Sequence, residues 1–131
     1  MSDSNPALPR VARILSATIL FAIAGIHLFL VFDGVGGLLG ALFVLNAITG
    51  VVLGIGILAL HGRLLQLASV LSLLFIIASF LSLVLALTVG LFGITETWSF
   101  TRVPQTFVVE AIGIVVLAAT SVLVLRARRA G

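Results

Sequence analysis

The sequence contains no cysteine and no lysine, its one methionine is Met1, and only 8% of its 131 residues carry charge. Without cysteine there are no disulfides, no thiolate metal sites and no thiol redox chemistry. The compartment stays open, because a cysteine-free chain suits either redox environment. A lone Met1 also makes His/Met haem ligation implausible. Seven arginines beside no lysine hint at a GC-rich prokaryotic genome. Metalloprotease, nucleophile-elbow, P-loop and dinucleotide signatures are missing too, so enzymatic activity of this chain alone is not expected.

What is present is apolar. Hydrophobic residues make up 62% of the chain and the mean hydropathy is +1.42, outside the range of soluble globular domains. A hydrocarbon core ~30 Å thick is crossed by roughly 20 helical residues. Four runs of that length fit between the polar breaks, at residues 14–32, 38–60, 64–91 and 107–125. Lipid permits only helices or closed barrels, and the alternating segments of a barrel are absent. The expected fold class is therefore all-α, an integral membrane four-helix bundle. Its single transmembrane domain, 14–125, lies between a short N-terminal segment, 1–13, and a basic tail, 126–131. The first run lacks a convincing small-residue cleavage site, and is expected to be retained rather than removed as a signal peptide.

Arginines set the expected orientation. Arg10 and Arg13 precede the first run, Arg63 lies in the second connection, and Arg126, Arg128 and Arg129 follow the last run. With an even number of crossings these share one side, so both termini are expected in the cytoplasm of a prokaryotic inner membrane. Arg102 alone falls opposite, in LFGITETWSFTRVP, where Glu96 is a candidate ion-pair partner and Trp98 and Phe100 are candidate headgroup-level anchors. A pI near 11.6 would point to nucleic acid in a soluble domain. Here the basic residues flank the spans and act as topology signals beside anionic lipid, so no nucleic-acid partner is expected.

Small residues mark the expected helix contacts, since lipid-embedded helices associate through close approach and polar bonds. The second run carries Asn46, Gly50 and Gly54 at i, i+4 steps. The third carries Ser69, Ser72, Ser79, Ser82 and Ala86, expected on one inward face; Gly50, Gly54, Ser72 and Ser79 are the candidate packing residues. Ala17, Ala24 and His27 in the first run, and Glu110, Gly113 and Ser121 in the fourth, repeat the pattern.

Counting inward at ~1.5 Å per residue places His27 ~9 Å, Glu110 ~5 to 9 Å, and Asn46 and Ser82 ~12 Å below the outer surface. These four residues are thus expected in one polar layer of the outer leaflet, with His27 and Glu110 its titratable members. Such a layer has two readings. An intramembrane ionisable group is a functional-site candidate, for a cation, a proton, a quinone or a lipid headgroup. Alternatively the four residues are interhelical hydrogen-bonding glue, or Glu110 snorkels to the surface. No cofactor is expected. A single-chain bis-histidine haem does not fit, because His61, in HGR at the cytoplasmic edge, lies ~20 Å in depth from His27. His61 and Asp33, the latter in FDGVGG, are expected in turns.

The stretches AGIHLFL, GALFVLNA, ALTVGLFG and VVEAIG resemble small uncharacterised four-span membrane proteins of high-GC prokaryotes, similar to the DoxX-like group. That resemblance spans most of the hydrophobic chain through largely apolar motifs. It implies association with respiratory or redox membrane complexes, some of them quinone-linked; with no redox centre in this chain, the activity itself does not carry over. Three functional expectations follow. The first is an accessory or structural subunit packing in a larger membrane complex or with itself. The second is a small-ligand, cation, proton or quinone binding protein using His27, Asn46, Ser82 and Glu110. The third, a transporter, would need oligomerisation or a repeat pair.

Overall fold

The computed structural model describes residues 7–91, 93–95, 97, 99 and 102–130, with side chains described as far as Arg126. It contains four helices: α1 (Ala7–Phe32), α2 (Gly37–Ala59), α3 (Gly62–Thr88) and α4 (Val103–Ala130). All four are long and apolar enough to cross a membrane, and there is no strand among the described residues. Large apolar side chains such as Leu45, Val52, Leu74 and Val115 point outward. In water such a surface would aggregate; around a bundle of this length it is the surface that lipid covers.

Two helices extend past their hydrophobic runs. α1 begins at Ala7 and carries Arg10 and Arg13 on its first turns, because alanine, leucine and arginine propagate a helix whether or not lipid surrounds it. α4 begins at Val103 rather than near Phe107, with Pro104 in the first turn, where a missing N–H costs no hydrogen bond. Between α2 and α3 only Leu60 and His61 intervene, and Gly62 adopts φ +58°, a conformation that glycine enters without steric cost.

Arg13, expected from the sequence only as a topology signal, makes a structural contact. Its Nε donates to the Ile57 carbonyl (2.8 Å), and its Nη2 donates to those of Leu60 (3.0 Å) and Leu58 (3.2 Å). These carbonyls close the C-terminal end of α2, which lacks intrahelical donors, and a cation there also complements the helix dipole. The start of α1 is thereby tied to the end of α2.

Around the bundle, α1 packs most extensively on α2, α4 packs on both α1 and α3, and the seam between α2 and α3 is the thinnest. Glycines explain the tight side. A Cβ at Gly50 would lie 3.0 Å from the Leu20 carbonyl oxygen and 3.2 Å from Ala24 Cβ, so α1 and α2 touch almost backbone to backbone. Gly54 lies under the Phe21 ring, and Gly113 receives Ile19 of α1 and Ile76 of α3. Leu20, Ile23, Ile57, Ala68, Ile76 and Leu117 form the apolar core, which occupies the middle of the bundle and the half nearer the termini. The half nearer the 33–36 and 89–102 connections is built differently.

Replacing Gly50 with Leu is expected to lower the stability of the detergent-solubilised bundle by about 1–3 kcal/mol, the usual cost of overpacking against an unyielding neighbour. Gly25→Leu is the control, since a Cβ there meets nothing within 4 Å. Equal thermal unfolding of the two variants would contradict the close α1–α2 contact.

Candidate functional site

His27 is held from two sides. Its Nδ1–H donates to the Ile23 carbonyl one turn back (2.8 Å). A carbonyl can only accept, so the proton of the neutral ring sits on Nδ1 and Nε2 is left as an acceptor. The ring meets Phe43 of α2 edge to face, with centroids 4.8 Å apart and planes at 84°, which fixes its orientation.

Asn46 reaches across the thin seam, where its Nδ2 donates to Ser79 Oγ of α3 (2.8 Å). Its Oδ1 is buried and has no partner. Glu110 of α4 is only 1% exposed, and neither of its carboxyl oxygens has a partner. Ser82 donates to the Ala78 carbonyl of its own helix (2.8 Å).

His27, Asn46, Ser82 and Glu110, separated by up to 83 positions in the chain, line one cavity of about 360 Å³. Its walls come from α2 and α3, and its back from α1 and α4. Leu42 and Leu45 of α2 and Ala78 and Ser82 of α3 are lining residues that are also exposed, so the cavity reaches the surface through the α2–α3 seam. At the connection end it is bounded by Arg102, whose guanidinium carbon lies 5.1 Å from the centroid of the Phe29 ring, within cation–π range. Glu96, the ion-pair partner expected for Arg102, lies outside the described residues, as do Trp98 and Phe100.

The expected serine face of α3 needs correction. Ser69, Ser72 and Ala86 are buried, Ser79 is half-buried at the seam, and Ser82 is exposed at the cavity rim. At 3.6 residues per turn, steps of three and seven do not return to the same azimuth, and Ser82 ends roughly 140° around the helix from Ser69. Ser69 and Ser72 satisfy their hydroxyls on the carbonyls of Leu65 and Ala68. Ala17, Ala24, Gly113 and Ser121 are buried as expected.

Two elements of the polar architecture escaped the sequence. Thr106, one turn before Glu110, is buried and lines the cavity. Thr120 is fully buried between α1 and α4; its hydroxyl donates to a backbone carbonyl, that of Val116 at 2.9 Å or Ala12 at 3.2 Å, and receives the Ser16 hydroxyl at 2.7 Å. From sequence, Thr120 and Ser121 are adjacent, and nothing short of the helix neighbours separates them.

Asp33 is exposed in its turn and does not line the cavity. His61 is the exposed N-cap residue of α3, at the opposite end of the bundle from His27. From Phe43, level with His27, to Ala59 is ~24 Å along α2. Among the described residues no three His, Cys, Asp or Glu side chains come together as a metal site. The arrangement offers acceptors in an apolar setting, without a nucleophile and base in contact.

Comparison with protein-family models, with curated proteins and with solved structures finds no match. The likeness to DoxX-like proteins therefore rests on its apolar motifs alone.

Stability separates structural from unpartnered polar groups. Ser16→Ala is expected to cost about 0.6–1.7 kcal/mol in thermal or denaturant unfolding, the range for an interhelical hydrogen bond in a membrane bundle. Glu110→Gln, which breaks no hydrogen bond, is expected to stay within about 0.5 kcal/mol of the parent. The reverse ranking would make Glu110 the structural residue.

Proposed function

We propose that this chain is a membrane-embedded binding protein that takes a small amphipathic molecule between α2 and α3, with its polar end against His27, Asn46 and Glu110. One observation carries this reading. Three of the four buried side-chain nitrogen or oxygen atoms without a partner, among the described residues, are Asn46 Oδ1 and the two Glu110 oxygens, all belonging to residues of one cavity. Interhelical glue would leave these atoms paired, because the bilayer core offers no water to satisfy them. A cavity of about 360 Å³ also falls within the range that holds small ligands.

An accessory subunit of a larger membrane complex is the competing reading, favoured by small size, short connections and the lack of catalytic groups. It gives no reason for unpaired acceptors around a cavity. Transport is supported less well, because the apolar core around Leu20, Ile57 and Leu117 fills the other half of the bundle. From the arginine distribution we place both termini in the cytoplasm of a prokaryotic inner membrane, and the cavity in the outer leaflet.

Native mass spectrometry of the protein extracted gently from its own membrane tests the reading. The expected result is a reproducible small-molecule adduct that disappears in Ala78→Phe, a substitution that fills the rim. Co-release with a larger complex, and no adduct, would favour the accessory-subunit reading.

A further inference from the structure

Resting on the binding reading above, we infer that the polar end of the ligand is a hydrogen-bond-donating organic cation, an ammonium on an apolar body, with Glu110 as its counter-ion. The buried cavity atoms recorded without a partner, Asn46 Oδ1 and the two Glu110 oxygens, are acceptors. Asn46 gives one of its two amide N–H groups to Ser79 and keeps Oδ1 without a partner. His27 has committed Nδ1–H to Ile23 and keeps Nε2. Glu110 presents two unpartnered oxygens. A primary ammonium brings three N–H donors and no acceptor, which matches three acceptor residues.

Other headgroups fit less well. A carboxylate or phosphate would bring more acceptors to a site already composed of them. A quinone carbonyl would find donors in the Thr49, Ser79 and Thr106 hydroxyls, the second Asn46 Nδ2–H and, at the mouth, Arg102, but it would leave the Glu110 carboxylate without a counter-charge. The Arg102 guanidinium is drawn aside over Phe29, and Glu110 lies ~12 Å further along α4 from it. An inorganic cation needs several ligands or retained water, whereas the remaining wall is largely leucine, alanine and phenylalanine. That same wall suits the ligand's hydrocarbon body, and Phe43 and Phe75 in it offer aromatic surface to a cation.

The test compares octylamine, octanol and octanoate, one chain with three headgroups, as ligands of the full chain in zwitterionic-lipid nanodiscs, with empty nanodiscs as the partitioning control. Octylamine is expected to bind about tenfold more tightly than octanol, the usual scale of one charge-assisted hydrogen bond, and octanoate most weakly. Glu110→Gln should reduce octylamine to the octanol level, and Ala78→Phe should abolish binding of both. If Glu110→Gln fails to fold by circular dichroism, Glu110→Asp replaces it and should keep the amine preference at weaker affinity; loss of the preference there overturns the counter-ion role. Octanol or octanoate binding as tightly as octylamine, or octylamine indifferent to Glu110→Gln, overturns the cation class and leaves the binding reading standing. No binding above the empty-nanodisc level overturns both.

Discussion

Inside a bilayer a polar side chain must find its partner within the protein, and the bundle can be read as the working out of that constraint. Five of its hydroxyls meet it locally. Thr18, Ser69, Ser72, Ser82 and Thr88 each donate to the carbonyl one turn back in their own helix. Ser16 and Thr120 meet it across helices, and Arg13 meets it while closing the end of α2. Against that background Glu110 stands apart as an ionisable group that is nearly inaccessible and has no hydrogen-bond partner at either carboxyl oxygen. Its isolation becomes intelligible if the missing partner belongs to a molecule other than this chain.

Packing asymmetry makes room for that molecule. Gly50 and Gly54 let α1 and α2 approach closely, and Gly113 lets α4 settle against α1 and α3. The fourth seam, α2 with α3, has no comparable pair of glycines; it is held by the Leu60–His61 connection at one end and by the Asn46–Ser79 hydrogen bond nearer the other. Two helices joined by so short a link need not stay in register along their length. Beside that hydrogen bond the small residues Ala78, Ser79 and Ser82 line α3 and leave volume unfilled. The cavity is thus a consequence of three tight seams and one loose one.

Much of this is legible in the sequence because lipid simplifies the problem. Run length and the need to satisfy every backbone group decide the number of helices and their type before any packing is considered. Depth counting at ~1.5 Å per residue leads to an expectation that His27, Asn46, Ser82 and Glu110 lie at one level, and the four line one cavity. Azimuth is less forgiving: a serine spacing that looks like a single face carries Ser82 to the cavity rim. Partnership is harder still. Nothing in α1 reveals that Arg13 will close α2 rather than face headgroups, nor that Thr120 rather than Ser121 will meet Ser16, because each depends on which helices become neighbours. Arg102 over Phe29 likewise depends on how the long connection folds back, and local sequence carries no such information.

Whether the α2–α3 seam is open in a membrane is the point on which the account turns, and a chain without cysteine allows it to be asked directly. Ser79→Cys and Ser72→Cys place single thiols two turns apart on α3, the first lining the cavity and the second fully buried in the bundle. Labelling both in lipid nanodiscs with a small methanethiosulfonate reagent is expected to modify the thiol at position 79 readily and to leave that at position 72 unreacted. If both stay unreacted while the variants remain folded, the seam is closed and dry in lipid, and the binding account fails.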